Sequence, residues 1–328
     1  DREPPYAALV ERGGEDPALE AAARRDIETF TLLAELDWDQ VLAEVGGKAP
    51  REYGPVLANL PRWRGSSPFS FAELTEFYRA NGAGLFARHR AFLWEDGALC
   101  PVEQPDCPGA DEMLGYELQR NRVIANTRAM LEGNLVNNVL LYGDSGTGKS
   151  ATVKNLLTLP GFEALRLIEV QKEGLADLPR LIRTLGGRRL KFILFIDDLA
   201  FDQDDKTYSA LKTILEGGLE RRPANVAVYA TSNRRRLVRQ TFSDRAGDEV
   251  DASETIQEKT SLSDRFGLRI PYLALNQAEF LELVEGMAEQ AGIALDRDSL
   301  RAEAVKWEMR NPGRTPRTAK QFIASLSL

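Results

Sequence analysis

"VLLYGDSGTGKS", residues 139–150, runs four apolar or aromatic side chains into a glycine-rich turn that ends on a lysine and a serine. The turn fits G-x-x-x-x-G-K-[ST], and its surroundings fit as well, with a strand pattern before it and a helix pattern after it. In such a turn glycines let the backbone curl until its N–H groups face inward, and the following helix N-terminus favours an anion. Residues Gly143, Asp144, Ser145, Gly146, Thr147 and Gly148 therefore read as a phosphate cradle. Lys149 is placed for β- and γ-phosphates and Ser150 for Mg²⁺, so the expected ligands are ATP and Mg²⁺.

Further along, "FILFIDDLAF", residues 192–201, carries five apolar side chains straight into Asp197 and Asp198. An unbroken apolar run suits a strand buried on both faces. Carboxylates at its tip are costly to desolvate unless a cation meets them. A Mg²⁺-bound nucleotide supplies that cation. Asp197 is thus expected to hold the metal with Ser150, and Asp198 to polarise an attacking water. The competing reading of Asp198 is a cap on the next turn.

Outward from these two segments, apolar runs alternate with helical stretches. The runs are "NVLLYG" (138–143), "LRLIEV" (165–170), "KFILFI" (191–196), "NVAVYA" (225–230) and "LRIPYLAL" (268–275). Five such runs predict an α/β fold with a five-stranded parallel sheet. After 275 the pattern turns helical, in three segments. Residues 1–94 also read as helical: "DIETFTLLAELDWDQVLAEV" sets Phe30, Leu33, Leu36, Val41 and Val45 roughly on one face, and Ser70 to Glu73 forms a capping box. The stretch 95–113 is rich in Pro, Gly and acid and reads as a linker. The expected domains are a mostly helical part with linker over 1–107, an ATPase domain over 108–275 and a helical lid over 276–328.

The 328 residues are 43% hydrophobic and carry a net charge of −8. All of that excess lies in residues 1–107, with 19 acidic and 11 basic side chains. An acidic surface is a poor one for nucleic-acid phosphates and a reasonable one for a protein partner. No apolar run approaches the roughly 18 residues of a transmembrane helix, and no secretory pattern is visible at the start. Cys100 and Cys107, with six residues between them and no histidine near, make a poor metal pattern, and the expected location is cytoplasmic. His89, the only histidine, reads as a surface or packing residue.

Three further segments acquire meaning from their order. "YATSNRRR" (229–236) sets Asn233 at a strand tip, where an amide can orient water and sense a γ-phosphate. "SLSDRFG" (261–267) sets Arg265 before the last strand, and "GRTPRTAKQF" (313–322) sets Arg317 at the start of the last helix. This order of P-loop, Asp-Asp strand, Ser-Asn, "DRFG" and "TPR-x-A" resembles the AAA+ ATPases. More closely, strings such as "GYELQRNRVIANT", "KFILFIDDLAF" and "EKTSLSDRFGL" resemble a bacterial family of ATP-binding proteins with no assigned role. The resemblance implies a P-loop AAA+ sheet in the order 5-1-4-3-2 with helices on both faces. It implies Asn233 as sensor 1, Arg317 as sensor 2 from the lid, and Gly115 and Tyr116 at the adenine. It implies a homo-oligomer, a hexamer or open ring, in which Arg265 reaches into the neighbour's site.

Two departures bear on mechanism. Most AAA+ proteins carry Asp-Glu at the end of this strand, the Walker B element, whereas here it is Asp-Asp. The shorter carboxylate lies about 1 Å further from the water, which can cost around a hundredfold in rate, so slow hydrolysis is expected. The segment "EVQKEGLADLPRLIRTL" lacks the aromatic loop of protein-threading members, which disfavours an unfoldase. The leading reading is an ATPase that remodels or switches a protein partner recruited through residues 1–94. A DNA-associated ATPase of the clamp-loader or helicase-loader kind is the second; Arg234, Arg235, Arg236 and Arg239 could meet nucleic-acid phosphates, but the preferred reading of them is an inter-subunit or solvated cluster. A nucleotide-gated scaffold with very slow hydrolysis is the third.

Overall fold

The computed structural model describes residues 3–48, 50–59, 70–200, 211–212, 214–215, 222–233, 262–311 and 313–326. The arginines at 234–239 lie outside them. Two compact units divide the chain, Asp1–Ala87 and Arg88–Leu328.

The first unit is helical. It contains α1 (Pro5–Glu11), α2 (Pro17–Glu35), α3 (Trp38–Lys48), the short α4 (Gly54–Ala58) and α5 (Phe71–Asn81). Asp16 caps α2, accepting from the N–H groups of Ala18 and Leu19. The Ser70–Glu73 capping box opens α5 as the spacing predicts, and Gly82 closes it. Tyr6 ties α1 to α5 through Thr75 Oγ1 at 2.8 Å and by packing on Phe71. The apolar face expected along 26–45 is interrupted between α2 and α3. Phe30, Leu33, Leu36 and Val45 are exposed rather than buried within this unit.

After α6 (Leu85–Arg88), which spans the division, the second unit is built on one sheet of seven strands. They are β1 (Ala91–Glu95), β2 (Ala98–Pro101), β3 (Val139–Gly143), β4 (Leu165–Val170), β5 (Lys191–Ile196), β6 (Val226–Ser232) and β7 (Leu268–Tyr272). Their order is β2-β1-β4-β5-β6-β3-β7. All pairings are parallel except the β1–β2 hairpin. The expected count of five strands is therefore corrected to seven. The five expected strands keep the relative order 5-1-4-3-2, and the β1–β2 hairpin extends the sheet beyond β4. This also corrects the helical reading up to 94 and the linker at 95–113, since β1 and β2 lie there. Asp96 and Gly97 both take left-handed backbone angles, φ 49° and 73°, in the two-residue turn that closes the hairpin. Ala91 and the partly buried Val102 and Cys107 belong to the apolar cluster that also holds Leu141, Ile193 and Tyr229. Cutting at 107 would tear that core.

The helices of this unit include α7 (Glu117–Leu131), α8 (Lys149–Asn155) and α9 (Leu178–Leu185). The chain then ends in α10 (Gln277–Gln290), α11 (Arg297–Arg310) and α12 (Pro316–Leu326), matching the three expected helical segments. These three pack around their own cluster, centred on Phe280, Val284, Ala304 and Phe322. Among the described residues no helix is long and apolar enough to cross a membrane.

Candidate nucleotide site

Parallel strands in an open sheet deliver all their C-terminal ends to one edge, where ligands of such sheets bind. Here that edge gathers Gly143 from β3, Asp197 and Asp198 from the end of β5, and Asn233 after β6. Each strand is almost wholly buried, so its tip is fixed by the core behind it.

The turn 143–150 is bound from two sides. The Asp144 N–H donates to Tyr272 O at 2.9 Å, and Asp144 Oδ2 accepts from the Ala274 N–H at 2.7 Å. Gly143 has φ 137°, and a Cβ there would stand 2.2 Å from Tyr272 O, so only glycine lets β3 leave the sheet beside β7. From the other side the Arg317 N–H donates to Gly146 O at 3.2 Å. A Cβ on Gly146, φ 77°, would meet Arg317 Cβ at 2.9 Å. The first turn of α12 thereby lies directly against the cradle.

Lys149 is buried, and its ammonium donates to Gly143 O, Asp144 O and Asn233 Oδ1 at 3.0, 2.7 and 2.9 Å. Burial pulls its pKa below the ordinary lysine range, against the opposing pull of Asp144, Asp198 and Asp197. Ser150 Oγ donates to Asp197 Oδ1 at 2.6 Å. Asn233 Nδ2 donates to Asp198 Oδ1 at 2.8 Å. Asp198 itself takes a left-handed backbone, φ 48°, a region that aspartate tolerates better than most residues. Ser150 and Asp197 offer hard oxygen donors side by side, a set that suits Mg²⁺. Among the described residues no group of three or more His, Cys, Asp or Glu could cage a metal. A cation here would complete its shell from phosphate and water, as Mg²⁺ commonly does.

A cavity of about 510 Å³ brings these groups together. Ser145, Gly146, Thr147, Gly148, Lys149 and Ser150 line it, as do Asp197, Asp198, Asn233 and Arg317. Gly143 and Asp144 support it from behind. Gly115 and Tyr116 also line it, and they border a second cavity of about 590 Å³ on the β7 and α10 side. Tyr116 is left-handed at the N-terminus of α7. Its ring stacks on Tyr272 at 5.1 Å and its hydroxyl donates to Leu273 O at 2.6 Å. Burial pushes the Tyr116 phenol upward and the Tyr272 phenol up to about 12, so both stay neutral donors.

Residues 87–327 match the family described as "Protein of unknown function (DUF815)". The chain belongs to this family. No curated protein matches it. Among solved structures it is similar to the RuvB Holliday junction branch migration motor of Thermotoga maritima. That match has 16% identity and a TM-score of 0.43, over 67% of this chain and 63% of that one. The T158V form of that RuvB matches with 17% identity and a TM-score of 0.44, over 67% and 63%. The Aeropyrum pernix ORC1 protein in complex with DNA matches with 16% identity and a TM-score of 0.46, over 66% and 60%. The DUF815 chain thus spans less than two thirds of the length of each.

Of the expected site residues in this DUF815 chain, Arg265 alone stands apart. It follows the buried Leu262, to whose carbonyl its N–H donates at 3.2 Å, and it does not line this cavity. Three contributors went unread in the sequence. Thr231, one residue before the noted Ser232, lines the cavity and contacts both Asp197 and Asp198. Lys320 lines it too, one turn after Arg317. The i, i+3 spacing of "TPRTAK" carries that signal. Tyr272, whose hydroxyl meets Thr152 Oγ1 at 2.9 Å, reads in the sequence only as part of a strand.

Proposed function

We propose that this DUF815 protein binds Mg²⁺–ATP in the 510 Å³ cavity and hydrolyses it, acting as an oligomeric AAA+ type ATPase that switches or remodels a protein partner. The observation that carries the reading is convergence. A P-loop lysine, a Ser–Asp pair, an Asn–Asp pair and a lid arginine come from four separate segments and face one cavity.

The chemistry follows from the residues. The cradle N–H groups and Lys149 bind the phosphates, and Lys149 exchanges its Asn233 contact for a phosphate oxygen. Ser150 and Asp197 would hold Mg²⁺, which neutralises charge on the β- and γ-phosphates when bound. Asn233 occupies Asp198 Oδ1, which leaves Oδ2 to accept the proton of the attacking water. Arg317 donates to Ser145 Oγ at 3.4 Å, close enough to the cradle to meet a γ-phosphate. Residues 1–94, acidic and with exposed apolar side chains on α2 and α3, supply the partner surface in this reading.

The test is a pair of variants. Lys149→Ala removes the main cation for phosphate and is expected to abolish tight ATP binding. Asp198→Asn cannot accept a proton and is expected to bind ATP normally while releasing no phosphate. ATP affinity unchanged in Lys149→Ala would defeat the site assignment. A wild-type chain that binds ATP and shows no turnover even when assembled would leave the scaffold reading in its place.

A further inference from the structure

Thr231 sits at the end of β6, only 1% exposed, with its backbone paired to Leu141 of β3. Its hydroxyl is engaged twice. Oγ1 donates to Asp197 Oδ1 at 2.5 Å and accepts from the Asp198 N–H at 2.9 Å. Its carbonyl accepts from the Leu199 N–H at 2.7 Å. One residue of β6 therefore touches all three residues of the turn 197–199. Because β6 is buried along its length, that contact is rigid.

The consequences fall on both carboxylates. Asp197 Oδ1 accepts from Ser150 Oγ, Thr231 Oγ1 and the Asp198 N–H together. With that oxygen filled, the carboxylate plane is fixed and Oδ2 is the oxygen left to face a cation or its water. At Asp198 the hydroxyl anchors the N–H of a residue held in left-handed backbone, φ 48°. An αL residue persists where its surroundings over-determine it. Here the anchors are Thr231 on the backbone and Asn233 on the side chain.

We infer that Thr231 is the positioning residue that aims both Asp197 and Asp198, the first toward Mg²⁺ and the second toward water. The inference rests on the ATPase reading of the site. Thr231 does not touch the phosphates in this account; it acts through the two aspartates. Groups that orient metal ligands in this way typically change metal affinity or activity about 10- to 100-fold when removed.

The experiment compares wild type, Thr231→Val and Thr231→Ser. Valine keeps the β-branched shape and loses the hydroxyl; serine keeps the hydroxyl. A fluorescent ATP analogue is titrated with each protein in EDTA and then over a range of Mg²⁺, and phosphate release is measured alongside. Thr231→Val is expected to match wild type in EDTA, to need about 10-fold more Mg²⁺ to reach its tight-binding state, and to lose about 10- to 100-fold in kcat with little change in KM. Thr231→Ser is expected to recover most of both. If Thr231→Val does not fold, Thr231→Ala against Thr231→Ser gives the same comparison. An unchanged Mg²⁺ midpoint and kcat in Thr231→Val overturn the inference and leave the ATPase reading standing. A variant weakened equally in EDTA and in Mg²⁺ also overturns it, since that is a general packing role. A folded wild type that binds no analogue under any condition overturns the reading and the inference together.

Discussion

Asn233 Nδ2 donates to Asp198 Oδ1 at 2.8 Å across 35 residues of chain. The same amide accepts from Lys149 through its Oδ1, so one side chain joins the P-loop lysine to the second aspartate of the β5 tip. Arrival of a phosphate at Lys149 would break one of these bonds and free the amide to turn. Asn233→Ala is expected to bind ATP within a few-fold of wild type, since Lys149 keeps its two carbonyl partners. Its turnover is expected to fall about 10²-fold, the usual cost of removing one preorganised polar contact from a reacting site. Equilibrium binding and single-turnover phosphate release on the same preparation separate the two effects. Loss of binding in proportion to turnover would place Asn233 with the cradle.

Asp198 invites a second comparison. The sequence alone suggests that a longer carboxylate would reach the water better. The structure argues the other way. The left-handed backbone at Asp198 suits aspartate, and Asn233 meets Oδ1 at the length of the shorter side chain. Asp198→Glu is therefore expected to hydrolyse more slowly than wild type, with ATP affinity preserved. Turnover equal to or above wild type would show that reach limits this site after all.

These two residues also show what the sequence carried. The glycine, lysine and serine of the P-loop, and the apolar run ending at Asp197, are local patterns fixed by backbone geometry and burial, and each lies where its pattern places it. Asn233 and Arg317 became candidates only through their order relative to the P-loop and the Asp-Asp strand, and both line the cavity. Thr231 was not legible. A threonine in a strand is ordinary, and its two contacts depend on β5 and β6 being neighbours, which only the sheet order supplies. The β1–β2 hairpin was lost for a different reason. Its Asp96-Gly97 turn signal was present, but the Pro-rich and acidic composition that follows outweighed it. The exposure of Phe30, Leu33 and Leu36 was not legible, because in sequence they look like a buried helix face.

The close approach of β3 and β7 sets a stability expectation. Gly143→Ala would place a methyl 2.2 Å from Tyr272 O on a backbone at φ 137°, and the contact is backbone that cannot rotate away. The cost is expected to be about 3 kcal/mol or more, the range of strained-backbone and overpacking changes. Gly133→Ala is the control. It also has positive φ, 90°, but nothing lies within 4 Å of the added atom. Denaturant melts of the two variants should differ clearly; equal midpoints would mean that β3 and β7 separate at little cost.

Asp144 ties the cradle to the approach to α10, through the Ala274 N–H at 2.7 Å. Asp144→Ala is expected to cost no more than about 1 kcal/mol, because the Ala274 N–H is exposed and water replaces the lost acceptor. It should also speed amide exchange at Ala274 while leaving β5 and β6 protected. Asp144→Asn retains an acceptor oxygen and is expected to restore most of the protection. Uniform loss of protection across the sheet would show a global rather than a hinge effect.

Arg265 supplies the last test. It stands after Leu262 and three residues before β7, and it does not line the cavity that contains Lys149 and Asp198. Arg269, in β7, pairs with Asp264 at 2.6 Å. If Arg265 serves catalysis, it does so in a second copy of the chain, where a guanidinium would neutralise charge developing on the transferred phosphoryl group. Arginines of this kind are worth roughly 10³–10⁵ in turnover in GTPases. Arg265→Ala is expected to bind ATP nearly as wild type does and to hydrolyse it far more slowly. Mixing then decides between a role in its own site and one across an interface. Asp198→Asn subunits keep the arginine and lack the base; Arg265→Ala subunits keep the base and lack the arginine. Neither is expected to turn over alone, and together they should form some complete composite sites and recover activity. A mixture that stays inactive, although mixed oligomers are shown to form by tagged co-purification, would mean that Arg265 does not act across an interface, and the oligomeric mechanism would lose its main support.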